Sequence, residues 1–102
     1  GRINWNEPAE KVYNQIRALN PEPGTWTTWR GKVINITTCN VVSPQVQAGE
    51  TPGTVKKIGN DIAVVTGKCY LILKQVQLEG GKKMDAKSFV NGHPDFLNSM
   101  LE

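Results

Sequence analysis

Cys69-Tyr70-Leu71-Ile72-Leu73-Lys74-Gln75-Val76-Gln77-Leu78 is the stretch whose reading decides the fold. Its apolar residues change parity partway, with Leu71 and Leu73 on one face of an extended chain and Val76 and Leu78 on the other. Side chains alternate along a strand, so one flat strand cannot present all four to a single core. A bulge or bend near Lys74-Gln75 removes the conflict, because one unpaired residue shifts the parity and bends the strand. A long, bent strand of this kind belongs to a small closed barrel.

Upstream of it, Gly67-Lys68 and Gly59-Asn60 stand where tight hairpin turns are needed, which marks strands at 61–66 and 54–58. Two prolines and two glycines make 43–53 a loop. Residues 32–42 form a longer strand through Val33, Ile34, Ile36, Thr37, Thr38, Val41 and Val42. The turn-like Arg30-Gly31 separates it from a strand at 25–29, where Trp26 is expected in the core. Before the strands, Ala9, Val12, Tyr13, Ile16 and Leu19 recur at helical spacing. Asn6 is expected to cap that helix, with Glu7, Pro8 and Glu10 in its first turn. Asn20-Pro21-Glu22-Pro23-Gly24 ends it, since proline donates no amide hydrogen and biases its predecessor to extended geometry.

Downstream, Glu79-Gly80-Gly81-Lys82-Lys83 reads as a flexible basic loop. Asp85 is expected to cap a short helix running through Asn91 and closed by Gly92. His93-Pro94 leads into a tail, where 96–101 is expected to add a further helical turn. The elements describe a mainly β domain, a five-stranded OB-like barrel with an N-terminal α-helix and a short C-terminal helix. An open α+β sheet is the alternative. Ile16, Leu19, Val33, Ile36, Val64, Leu71 and Leu73 are the expected core.

A chain of 102 residues is read as one domain, 1–102, and its Met-less opening, Gly1-Arg2-Ile3-Asn4-Trp5, points to a segment of a longer protein. No apolar run approaches the roughly 20 residues of a membrane span, and no secretory signal opens the chain. Cys39 and Cys69 are expected as buried free thiols in a reducing cytoplasm, with a disulfide between them as the alternative.

The net charge of +3 is unevenly distributed. Residues 1–29 are neutral, 30–87 carry +5 and the remainder −2. Such an excess fits an anionic partner or, equally, a solvated lysine surface. Catalytic machinery is not evident: there is no phosphate-cradling glycine loop, Cys-x-x-Cys or nucleophile elbow. Two cysteines and one histidine make no zinc site. His93 lacks an orienting partner and is expected as an exposed tail residue. A binding surface is the better reading, with Lys82 and Lys83 in the glycine-flanked loop, Lys56 and Lys57 on opposite faces of one strand, Lys68 on a turn, and Arg30 and Lys32 at the first hairpin.

Ile3-Asn4-Trp5, Pro8-Ala9-Glu10, Arg17-Ala18-Leu19-Asn20-Pro21, Pro23-Gly24, Pro52-Gly53-Thr54-Val55, Gly80, Lys82-Lys83-Met84 and Phe89-Val90-Asn91-Gly92 follow in an order that resembles the C-terminal domain of methionyl-tRNA formyltransferases. The resemblance covers nearly the whole chain. It implies an accessory domain, not itself an enzyme, whose basic face grips the backbone of initiator tRNA during translation initiation. It further implies a Rossmann-like N-terminal catalytic domain of the same protein as partner, carrying 10-formyltetrahydrofolate, with no cofactor or metal here and no membrane partner. Departures are Glu22 between the prolines in place of Trp, Gly67-Lys68-Cys69 at the late hairpin in place of Gly-Asp-Gly, and Leu78 and Gly81 where relatives often carry Pro and Lys. Related domains in sugar-nucleotide formyltransferases and 10-formyltetrahydrofolate dehydrogenases are structural and touch no RNA, which is the alternative function.

Overall fold

Two long strands, β2 (Lys32–Val42) and β5 (Tyr70–Leu78), form the spine of the computed structural model, which describes residues 1–42 and 46–102. Around them stand β1 (Trp26–Trp29), β3 (Val55–Ile58), β4 (Asp61–Val65) and β6 (Met84–Asp85). Helix α1 (Ala9–Leu19) precedes the strands, and α2 (Ala86–Gly92) and a 3₁₀ turn (Pro94–Phe96) follow. The sheet is antiparallel in the order β1-β2-β5-β4-β3, with β6 paired to the late half of β5. This curled sheet, with its N-terminal helix and short C-terminal helix, is the OB-like architecture expected.

The spine carries the expected irregularity, in both strands. Ile36 pairs with Val76, Thr38 with Gln75 and Cys39 with Leu73, so Thr37 and Lys74 have no partner in the ladder. In β5 the core residues change from Leu71 and Leu73 to Val76. In β2 they change from Ile34 and Ile36 to Cys39. Both strands switch parity at one level, so both keep one face on the same core while the ladder coils.

That core receives Ala9, Val12 and Ile16 from one stripe of α1, Phe89 from α2, and Phe96 and Leu101 from the tail. Leu19 and Val33, expected inside, are half-buried. Leu19 is the last helical residue, and Val33 has the opposite parity to Ile34 and Ile36. A smaller cluster of Ala63, Val65, Tyr70 and Ile72 forms on the reverse face of the sheet. Trp26 is also a correction, since it is half-buried on the outer face. Thr27 and Trp29 take the inward positions of β1, and Trp5 donates its indole hydrogen to the Thr27 hydroxyl at 2.9 Å.

Helix α1 starts at Pro8 and lacks a side-chain cap, contrary to the role expected of Asn6. Asn6 is held in a local turn by Asn4 Oδ1, and the first helical N–H, that of Ala9, donates to Lys68 O at 2.9 Å. The β4–β5 hairpin thus supplies the missing acceptor. Gly67 makes this approach possible, because a Cβ there would lie 2.0 Å from Asn6 O. Asp85 does cap α2, accepting from Ser88 N at 2.8 Å, and these hydrogen bonds hold its carboxyl below the usual range.

A helical turn over 96–101 was expected; instead the 3₁₀ turn ends at Phe96, a tight turn follows at Leu97–Asn98, and residues 99–102 run on without helix. Val55 N donates to Ser99 O at 2.9 Å, and Leu101 N to Gly53 O at 2.8 Å. Thr28 and Glu102 then exchange both backbone hydrogen bonds at 3.0 Å. The tail therefore runs from the β3 edge to the β1 edge and closes the curl that the strands leave open. Both outer edges are occupied, which removes templates for unwanted pairing.

Candidate nucleic-acid interface

Strand direction places the basic candidates. Glu79 N donates to Val33 O at 2.9 Å, so the β1–β2 turn lies beside the loop that follows β5. Arg30 belongs to that turn and Lys32 opens β2 directly after it, while Lys82 and Lys83 belong to that loop. These four occupy one end of the sheet. Lys68 sits in the β4–β5 turn at the opposite end, against the start of α1. Lys57 lies beside α2, sharing a surface groove of about 330 Å³ with Lys87, Asn60 and Asn91. The seven residues thus do not form one patch.

Their availability also differs. Arg30 is paired with Asp95 and lies over the Trp29 ring at 5.5 Å. Lys56 is bound to Glu50 at 2.8 Å and lies 5.1 Å from the Tyr70 ring. Among the described residues, Lys32, Lys57, Lys68, Lys82 and Lys83 have no ion-pair partner. All five are exposed.

Glu50, Lys56 and Tyr70 form one hydrogen-bonded cluster of titratable groups. The Glu50 carboxylate accepts from Lys56 Nζ and the Tyr70 hydroxyl, which holds its carboxyl below the usual value. The same carboxylate raises Lys56 and Tyr70. General acid–base work needs a group poised near the working pH, and these partners are driven away from it. The cluster instead ties the 46–50 segment to the reverse face of the sheet.

The cysteines are free thiols. Burial pushes the Cys39 thiol up to about 12, whereas Cys69 is half-buried, less enclosed than expected. Among the described residues no group of His, Cys, Asp and Glu is arranged to hold a metal ion, and no helix is long and apolar enough to cross a membrane. His93 is a correction: it is half-buried and stacked on Phe89 with ring centroids 4.3 Å apart. Trp29 and Phe96 complete this aromatic group edge-on.

Sequence reasoning missed Lys87 as a neighbour of Lys57, which only the packing of α2 against the β3–β4 turn reveals. It also missed an outer-face groove of about 380 Å³ that includes Pro21, Pro23, Asn35, Thr37, Gln77 and Lys83. Of these only Lys83 carries a charge that marks it in the sequence.

Known proteins are similar to this chain in sequence over almost its full length. Residues 1–94 match the family described as formyl transferase, C-terminal domain. The chain is 41% identical over 102 residues to the methionyl-tRNA formyltransferase of Carboxydothermus hydrogenoformans, covering 98% of this chain and 32% of that protein. It is 44% identical over 92 residues to that of Symbiobacterium thermophilum, covering 88% and 28%. It is 39% identical over 102 residues to that of Trichlorobacter lovleyi, covering 99% and 31%. The chain thus spans about a third of the length of these curated relatives. It belongs to the formyl transferase C-terminal domain family.

Proposed function

We infer that residues 1–102 are the tRNA-holding accessory domain of a methionyl-tRNA formyltransferase, acting in the cytoplasm at translation initiation. The observation that carries this reading is the similarity to enzymes named methionyl-tRNA formyltransferase, each about three times the length of this chain. Formyl transfer from 10-formyltetrahydrofolate belongs to a separate N-terminal catalytic domain. This domain contributes phosphate contacts, made first by Lys32, Lys82 and Lys83 at one end of the sheet. Lys57 and Lys68 extend the contact to other sides of the domain, and Arg30 and Lys56 join only by exchanging their carboxylate partners for phosphate.

Phosphate contacts position RNA without reading its sequence, and each neutralised phosphate releases counterions. With about three or four phosphates engaged, log affinity for tRNA falls with log salt at a slope near −3. Lys82→Ala with Lys83→Ala should weaken binding of all tRNAs alike and flatten that slope by up to ~2. A salt titration of both proteins is the test. A flat response, unchanged by the double substitution, overturns this reading in favour of a structural module.

A further inference from the structure

The outer face of β1, β2 and β5 carries a row that phosphate binding does not use. Trp26 pairs with Asn35, and Asn35 with Gln77, so the three are direct cross-strand neighbours. Their inward neighbours Thr27, Ile34 and Val76 are buried, which sets the row on the face away from the main core. All three side chains of the row are half-buried. The Arg2 guanidinium lies 5.4 Å from the centre of the Trp26 ring. Asn35 and Gln77 also line the groove of about 380 Å³, with Pro21, Pro23 and Lys83.

The chemistry of this face is specific. A half-exposed indole offers a stacking surface, and proline rings give the groove apolar walls. Amides both donate and accept, as the edge of a nucleobase requires. Among the described residues the Asn35 amide has no hydrogen-bond partner, and Gln77 commits only its Nε2–H, to Gly81 O at 3.0 Å. No carboxylate lines the groove, and the Lys83 ammonium stands at its margin. The volume lies at the low end of ligand-sized sites, roughly 300–1,000 Å³, enough for a nucleotide unit and too small for a duplex.

We propose that this groove holds one unpaired nucleotide of the bound RNA. Its base meets Asn35 and Gln77 between the proline walls and Trp26, which stands beside Asn35 at the edge of the groove and outside its lining, and its phosphate faces Lys83. An unstacked base exposes both its π-face and its hydrogen-bonding edge, whereas a paired base offers neither to such a groove. The proposal rests on the RNA-binding reading above and adds a base contact to a surface otherwise held to phosphates.

The test compares a mixed-sequence single-stranded RNA octamer with a duplex of equal length, each titrated at the same series of salt concentrations. Trp26→Ala should weaken octamer binding about tenfold, leaving duplex affinity within about twofold and the octamer salt slope unchanged. Trp26→Phe should recover most of that loss by keeping a π-face, and Asn35→Ala should weaken the octamer in the same sense. Octamer affinity unaffected by Trp26→Ala and Asn35→Ala overturns the groove; if the Lys82, Lys83 double variant still loses tRNA, the RNA reading survives. A free nucleoside monophosphate competing at octamer concentrations overturns the RNA assignment of the groove. No binding of any RNA by the unmodified chain removes both readings.

Discussion

Thr28 and Glu102 exchange both of their backbone hydrogen bonds at 3.0 Å, and the Thr27 and Thr28 hydroxyls also donate to Glu102 O. Four hydrogen bonds thus converge on a junction between β1 and a tail that belongs to no regular strand. Leu101, 3% exposed, anchors the junction from the core side. Leu101→Ala should cost about 2–5 kcal/mol, measured by denaturant unfolding. Removal of residues 98–102 should add self-association, seen by light scattering, because Thr28 on the β1 edge and Val55 on the β3 edge lose their backbone partners, while Trp26 stays covered by residues 1–3. A truncated chain that stays monomeric would show that the tail does not guard those edges.

Leu71 is fully buried at the centre of the spine, on the side of the parity switch where the sequence pattern is regular. Leu71→Ala should destabilise the domain by roughly 2–5 kcal/mol, a large share of what so small a fold has. A melting change within error of zero would mean that the strand face points elsewhere.

Gly67 and Gly92 should respond in opposite directions to the same substitution. A Cβ at Gly67 meets Asn6 O at 2.0 Å, and both partners are backbone, so neither can rotate away. Gly67→Ala should therefore cost more than ~1 kcal/mol and disturb the start of α1. Gly92, in the last turn of α2, has nothing within 4 Å of the added Cβ. Gly92→Ala should be neutral or stabilising by up to about 1 kcal/mol, through a less flexible unfolded chain. Thermal melts of the two variants provide the comparison.

The Glu50–Lys56–Tyr70 cluster sets a pH window. Hydrogen bonds from Lys56 and Tyr70 depress the Glu50 carboxyl below its ordinary 4.5, so its stabilisation is full above that value and fades as pH falls through the lower folded one. Tyr70 and Lys56 are raised above their ordinary 10.0 and 10.5, so their contributions are complete below those values and fade as pH rises through the higher folded ones. The stability difference between the unmodified chain and Glu50→Gln should form a plateau between these limits and shrink at the acid end. A difference that persists undiminished at pH 2 would remove the ion pair as its cause.

Much of the fold was legible because burial leaves periodic marks. The parity break in β5 announced a bend, and Asn20-Pro21 announced the end of α1 after Leu19. The matching break in β2, from Ile34 and Ile36 to Cys39, was equally present but hidden by the adjacent β-branched pair Val33-Ile34. Trp26 and Trp29 have similar hydrophobicity and opposite faces, and the inward choice depended on Trp5 reaching Thr27 from a distant segment. Met84–Asp85 is too short for any period to register. Closure by residues 98–102 follows from two sheet edges that exist only after folding. Among the candidate cations, no local spacing signals that Glu50 occupies Lys56 or that Asp95 occupies Arg30. Neutral residues such as Asn35 and Gln77 leave no charge to follow, so the groove becomes visible only from the strand register.

The two unpaired residues of the spine have a consequence best put genetically. Thr37 and Lys74 act as one insertion written at two places in the gene, since the pairs Ile36–Val76 and Cys39–Leu73 on either side keep one register between them. Loss of either codon alone would throw half of the β2–β5 ladder out of step. Loss of both would restore a continuous ladder with Ile34, Ile36, Cys39, Leu71, Leu73 and Val76 still facing one way. Deletion of Lys74 would therefore be a second-site suppressor of deletion of Thr37, rescuing strand pairing. It would not rescue the coil, and the flatter sheet would hold its edges too far apart for five tail residues to bridge.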